Sequence, residues 1–354
     1  MSDQIDAALL KRIESRTFPG AAYAYGRGDQ VVTGVLGTLS YTDGSPWVSD
    51  ETTWDLASVS KVMGTTMAAY FAVREGLFRL DDPVSKFLPE TKLGSATVRN
   101  LLRHNSGIAP YADLAGKLSD AGEVRKRILT MAPECSPGKM TAYSCLGFIT
   151  LMAIVERTSR MGLAEFLHEQ FFAPAGIEAF YRPMPHWFVR CAPTERTPIW
   201  RREVARKRGE GWSNGEFVQG SVHDPLAYLL GGVSGNAGLF ATIRAVAQFG
   251  SLLAQNHDLF GGGLMEWVTV ASSESSRALG FDTKSPEGSS AGTKFGPRSF
   301  GHTGYTGTCL WVDPDADIFG VLLTNRVHPD DHGAEIAQAR PEFFDLAYAA
   351  AIEL

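Results

Sequence analysis

Thr53 to Phe71 reads TWDLASVSKVMGTTMAAYF, and it sets a lysine at the head of an apolar run. Lysine is among the side chains least often fully buried unless it is paired. Ser58 and Lys61 are three residues apart, so if residues 58–61 open a helix the two side chains share one face. Val62, Met63, Met67, Tyr70 and Phe71 make the following turns apolar. Desolvation by such neighbours disfavours the ammonium and predicts a lowered pKa for Lys61. A neutral amine beside a hydroxyl can take its proton and activate Ser58. The first turn of a helix also offers free N–H groups and a dipole that favour developing negative charge. The same pair equally reads as a helix cap with a snorkelling lysine. A second S-x-x-K, Ser136 to Lys139, has Pro-Gly in its middle and predicts a turn that separates its ends.

The 354 residues are 44% apolar and 20% charged, with a net charge of −6. This is globular composition, too long for one small core and too acidic for a nucleic-acid binder. No apolar run reaches membrane-spanning length, and the first residues read as an amphipathic helix, which sets cytoplasmic localisation as the expectation. Cys135, Cys145, Cys191 and Cys309 are scattered without metal-like spacing and are expected to be free thiols. No metal or organic cofactor is called for.

Short alternating runs broken by glycine, GAAYAYGRG and QVVTGVLGTLSY, predict two or three antiparallel strands near the N-terminus. FGHTGYTGTCLWVDPDADIFGVLLTNRV predicts two or three more around a D-P-D-A-D turn. Between them, residues 82–175 carry helical periodicity, 181–220 read as loop, and GLFATIRAVAQFGSLLAQN and PEFFDLAYAAAIEL read as helices. Strands at both ends and helices between them predict an α+β fold. Residues 1–80 and 235–354 would form a discontinuous α/β lobe, and 81–234 a mostly helical lobe.

Two further elements stand with Ser58 and Lys61. Tyr143, in GKMTAYSCLGF, follows a Pro-Gly turn and precedes an apolar helix. It can project into a cleft, or be a core aromatic with a satisfied hydroxyl. His302-Thr303-Gly304 sits beside a strand, where small residues let a substrate backbone lie against the edge, or simply form a glycine-rich hairpin.

The order S-x-x-K, Y-x-N, [KH]-[ST]-G resembles the signature of the β-lactamase-like serine hydrolases: class C β-lactamases, DD-peptidases and family VIII esterases. The companion segments FPGAAYAYGRG, LLRHNSGIAP and LGGVSGNAGLFAT stand where that family has similar ones. The resemblance spans nearly the whole chain. It implies an antiparallel sheet flanked by helices plus a mostly helical lobe. It further implies Ser58 as nucleophile of an acyl-enzyme, Lys61 as general base, Tyr143 as proton shuttle and His302 in the place of the third-motif lysine. The N–H groups of Ser58 and Tyr305 would form the oxyanion hole, with Thr303, Gly304 and Cys145 lining the substrate site.

The chain departs from that signature at Cys145, where the family has Asn. A thiol is a weak donor and acceptor beside an amide. Cys145 reads as a packed small residue or, alternatively, as a nucleophile. His302 in place of lysine is an imidazole that stays neutral near pH 7 unless a carboxylate raises its pKa. Both departures favour esters or unusual amides over penicillins. The leading expectation is an esterase on small-molecule ester or amide substrates. A β-lactamase or D-amino-acid-directed peptidase is the alternative, and a penicillin-binding sensor without turnover is the alternative of another class.

Other patterns carry less. Gly288 to Gly292 matches G-x-S-x-G around Ser290 but has loop-like flanks. HPDDH, 328–332, reads as a solvated loop, and the basic run 201–212 as a solvated hairpin, loop or cleft rim. His223-Asp224 could form an orienting pair but reads first as a structural turn before the next helix, and His104 reads as a helix-end cap.

Overall fold

Glycine-broken alternation at residues 20–37 and 300–324 becomes one sheet with apolar side chains on both faces. The computed structural model describes residues 2–210, 215–269, 275–331 and 333–354. β1 (Gly20–Arg27) and β2 (Gln30–Gly37) form a hairpin. β3 (Trp54–Asp55), β4 (Ala179–Tyr181) and β5 (Leu239–Ala241) make a small three-stranded sheet in the order β3-β5-β4. β6 (Asp282–Thr283), β7 (Phe300–Thr303), β8 (Cys309–Asp313) and β9 (Ile318–Thr324) complete a six-stranded antiparallel sheet in the order β2-β1-β9-β8-β7-β6.

Period-two alternation divides each central strand between two cores. Ala21, Tyr23 and Tyr25 of β1, Trp311 of β8 and Leu322 of β9 pack on one face with Ile5, Leu9, Phe343 and Phe344. Those partners come from the helices Ser2–Glu14 and Glu335–Ile352. Ala22, Ala24, Leu310, Val312, Val321 and Leu323 pack on the other face, with Val246, Phe249 and Leu253 of the helix Ile243–Ala254. That second core continues into the helices Met67–Arg74 and Cys145–Ser159.

Several elements differ from the sequence reading. GLFATIRAVAQFGSLLAQN splits into β5 and the helix Ile243–Ala254, with Thr242 as cap, because Leu239 to Ala241 pair with β3 and β4. The last helix begins at Glu335, ahead of Pro341, which it keeps inside. Residues 181–220 are not all loop: Pro185–Arg190 forms a 3-10 turn and Ile199–Arg208 an α-helix. The basic run therefore lies largely on a helix, and Gly211 and Trp212 lie outside the described residues. Arg201 faces inward, its guanidinium 3.8 Å from the centre of the Tyr228 ring and bonded to Ser221 Oγ and the Val222 carbonyl. His328 is buried between the Thr194 carbonyl and Ser40, so that end of HPDDH is not solvated; His332 lies outside the described residues. The Ser136 copy of the motif is a turn, as its Pro-Gly requires, with Lys139 N–H donating to the Ser136 carbonyl. Ser290 Oγ accepts from Trp311 Nε1, a packing role far from any nucleophile elbow.

Leu322 is fully buried at the centre of the terminal-helix face. Leu322→Ala is expected to cost about 2–5 kcal/mol, read as a lower urea midpoint at unchanged slope.

Candidate active site

Asp55 anchors the site before Ser58 is reached. Its carboxylate accepts the Ala57 N–H at 2.8 Å and the His223 N–H at 2.6 Å. Thr306 and Thr308 donate to the Asp55 and Leu56 carbonyls, tying the loop after β7 to the same turn. Ala57 is held at φ +45, a left-handed conformation that an L-residue takes only when its surroundings impose it. Ser58 follows at the head of the helix, ahead of a π-helical turn, Lys61–Thr66. Gly304 abuts this turn so closely that a Cβ there would collide with Thr308 Oγ1 and lie 2.7 Å from the Leu56 carbonyl.

Lys61 is completely buried. Its Nζ lies 3.1 Å from Ser58 Oγ, 2.8 Å from the Asn236 carbonyl and 3.6 Å from Cys145 Sγ, which uses all three ammonium donors. The Tyr143 ring centre is 4.8 Å from the same nitrogen. Burial works to lower the Lys61 pKa, but the acidic groups of Tyr143 and Cys145, with Asp224 beyond them, outweigh it and the net shift is upward. This corrects the expectation of an amine neutralised by desolvation. The partners that hold the proton come from residues 143, 145 and 224, outside the local sequence that suggested a dry environment.

Tyr143 Oη is buried and has no hydrogen-bond partner among the described residues. Its ring lies between His104, 4.7 Å away centre to centre, and His302, 5.7 Å away. His104 Nδ1 accepts the Ser144 N–H at 2.9 Å, so His104 staples the Tyr143 loop in addition to standing past a helix end. His302 Nδ1 donates to the Thr303 carbonyl at 2.7 Å. Burial first, then Arg277 and Lys61, depress the His302 pKa far below its ordinary value, and the ring is neutral. Cys145 opens the helix Cys145–Ser159; burial raises its pKa, against the opposing pull of Lys61.

β6 pairs only with Phe300 and Gly301, leaving the outer edge at His302 and Thr303 without a partner strand among the described residues. The backbone N–H groups of Ser58 and Tyr305 donate no hydrogen bond within the described residues. Tyr305 is 53% exposed, stacked on His223 at 5.5 Å and bonded through Oη to Asp331. The structure thus places Ser58, Lys61, Tyr143 and Cys145 in one cluster, with His302 against Tyr143 and Gly304 against the Ser58 turn.

Four contributors were not read from sequence as parts of the site. Asp55 fixes the turn, Asn236 supplies the carbonyl to Lys61, Asp224 bonds Asn236, and Arg277 lies 5.2 Å over the Tyr143 ring. The segment LGGVSGNAGLFAT pointed toward Asn236 without singling it out. Asp224 caps the short helix Pro225–Leu229, the structural turn expected of it. Among the described residues no group of three or more His, Cys, Asp or Glu side chains is placed to hold a metal, and no helix is long and apolar enough to cross a membrane.

Residues 5–342 match the Beta-lactamase family. The chain belongs to that family. A "Putative D-alanyl-D-alanine carboxypeptidase" of Escherichia coli (strain K12) is 30% identical over 308 residues, covering 78% of this chain and 70% of the relative. One from Escherichia coli O157:H7 is 27% identical over 368 residues, covering 92% and 82%. Among solved structures, a β-lactamase from Mycobacterium bovis superposes with a TM-score of 0.62 at 22% identity, covering 97% of this chain and 98% of its own. Simvastatin synthase from Aspergillus terreus superposes with 0.76 at 18% identity, covering 100% and 98%. At those identities the two structures speak for the fold, and they agree with the α+β, β-lactamase-like architecture expected from the sequence.

The histidines give the site a pH signature. His104, His223 and His302 all have folded-state pKa values below the ordinary 6.5, that of His223 at about 3, with burial as the first cause. Below pH 6.5 the unfolded chain binds protons that the folded chain refuses, so their contribution to stability is lost as pH falls. Asp55 opposes them: burial pushes it up to about 6, so the folded chain takes its proton first and gains stability as pH falls through 6. Three groups against one predict a lower Tm at pH 5 than at pH 7.5 by calorimetry, and His223→Gln should make that drop shallower.

Proposed function

We propose that this protein is a serine hydrolase that works through an acyl-enzyme on Ser58 and acts on small carboxylic esters. The observation that carries the reading is the 3.1 Å contact between Ser58 Oγ and the buried Lys61 Nζ, with Tyr143 against the same nitrogen. Ser58 Oγ attacks the ester carbonyl. The reacting form is the one in which Lys61 has given up a proton: its Nζ, 3.1 Å from Ser58 Oγ, takes the serine proton as the oxygen attacks. The carbonyl oxygen, now an anion, is received by the N–H groups of Ser58 and Tyr305. The Tyr143 hydroxyl gives its proton to the departing alkoxide and recovers one from the Lys61 ammonium, and water then hydrolyses the Ser58 ester by the reverse path.

Two features favour esters. Cys145 offers the substrate no amide contact, and His302, being neutral, supplies no fixed positive charge. Alcohol leaving groups need less recognition than amines. A second reading, hydrolysis of D-alanyl peptides, is favoured by the name of the Escherichia coli relatives. Either substrate is a small molecule, and neither reading calls for a cofactor.

Ser58→Ala should abolish labelling by a fluorophosphonate, while Ser136→Ala and Ser290→Ala keep it. Tyr143→Phe and Lys61→Met should each lower kcat on p-nitrophenyl butyrate about 10²–10⁴-fold, the range of a positioned proton-transfer group. Rapid nitrocefin cleavage without turnover of such esters would reverse the ranking of substrates. A Ser58 adduct that never clears in intact mass spectra would make the protein a sensor.

A further inference from the structure

Arg340 is a cation that the fold leaves without a counter-ion. It stands in the helix Glu335–Ile352 and is partly buried, and its Nε is fully buried with no hydrogen-bond partner among the described residues. No carboxylate of the described residues pairs with it. Its Nη2 donates instead to two backbone carbonyls, Gly304 at 2.6 Å and Thr308 at 3.2 Å. A largely desolvated charge without an anion is costly. Arg326, nearby, differs: it donates to the Tyr305 carbonyl at 2.8 Å but is paired with Asp331 at 2.6 Å.

The carbonyl that Arg340 holds is joined to a group of the site. The Gly304 C=O and the Tyr305 N–H belong to one peptide unit, which is trans and planar, so the two point in opposite directions. With the carbonyl turned to Arg340, the N–H points away from the C-terminal helix, and it donates no hydrogen bond within the described residues. The hairpin that carries it is locked to the Ser58 turn, because Thr306 and Thr308 donate to the Asp55 and Leu56 carbonyls at 2.8 and 2.9 Å. A Cβ on Gly304 would lie 3.4 Å from Ala57 Cβ. Satisfying an orphan acceptor does not explain the arginine, since the Gly304 carbonyl already accepts the Gly307 N–H at 3.1 Å. A charged donor on that oxygen does more than a neutral one: it fixes the peptide plane and draws electrons toward the carbonyl, which makes the N–H at the other end a stronger donor.

We propose that Arg340 is a positioning residue of the oxyanion hole, clamping and polarising the Gly304–Tyr305 peptide so that the Tyr305 N–H is aimed and strengthened for the anion formed during attack by Ser58. This rests on the hydrolase reading above. Arg340 touches neither substrate nor reacting atoms and acts through a single peptide bond. Its effect grows as charge develops on the substrate oxygen, so it falls on kcat more than on KM.

Arg340→Met keeps an apolar stem and removes the donors. Its kcat on p-nitrophenyl butyrate should fall about ten- to a hundredfold, less than or equal to the loss of a whole oxyanion donor, with KM changed by no more than about twofold. Arg340→Lys still offers the Gly304 carbonyl a charged donor and should recover most of the loss. The thiono analogue of the ester, whose sulfur accepts hydrogen bonds weakly, supplies a readout that general loosening of the fold does not move. The ratio of kcat/KM for ester over thionoester should shrink in Arg340→Met and return in Arg340→Lys. Should the methionine variant not fold, Arg340→Gln, whose donor is neutral, takes its place with the same expectation. A folded variant with wild-type kcat, or one with low kcat and an unchanged ester-to-thionoester ratio, would overturn the clamp and leave the hydrolase reading standing. No turnover of the ester and no acylation of Ser58 in the wild-type protein would overturn the hydrolase reading, and the clamp with it.

Discussion

A fully desolvated ammonium is the constraint around which this molecule is arranged. Burying Lys61 is costly unless every proton finds an acceptor. The acceptors arrive from three directions: a hydroxyl one turn earlier, a thiol at the head of the helix Cys145–Ser159, and the carbonyl of Asn236 just before β5. Each has to be fixed by its own surroundings. Asp55 fixes the Ser58 turn, His104 and the Ser144 cap fix the Tyr143–Cys145 loop, and the bond to Asp224 fixes Asn236. Loosening any one of these leaves a charge in the core with a missing partner. The packing near the site is correspondingly tight, with Gly304 pressed on the Ser58 turn and the Thr308 hydroxyl holding the same carbonyl.

What could be read from the sequence follows the range of the interactions. Strands β1, β2, β7, β8 and β9 were visible because alternation is a local signal, while the helices that cover each face were not assigned to them from sequence. The nearness of Ser58 and Lys61 was visible for the same reason, since three residues on a helix fix it. The charge state of Lys61 was not. Desolvation can be inferred from neighbours in the chain, whereas Tyr143, Cys145 and Asp224 lie far along the sequence and reverse its effect. The helix Ile199–Arg208 was missed because its arginines look solvated, yet Arg201 is buried by stacking on Tyr228, a partner no periodicity reveals. Asn236 was not singled out because it acts on Lys61 through its backbone, and Asp224 was read first as a structural turn because it looks like an ordinary cap.

The replacement of an amide by a thiol at position 145 acquires a different meaning in this setting. In sequence it was a loss of recognition. In the structure the neighbouring amide belongs to Asn236, whose side chain is committed to Ser234 and Asp224.

The order β2-β1-β9-β8 has a consequence for how the chain is made. β1 leaves the ribosome early, but its long-range partner β9 ends at Thr324. Until then β1 has only β2 beside it, and its other edge, a row of unpaired amides flanked by Tyr23 and Tyr25, stands open. Sheet closure therefore waits for almost the entire chain, and the nascent protein carries an adhesive strand edge through most of its synthesis.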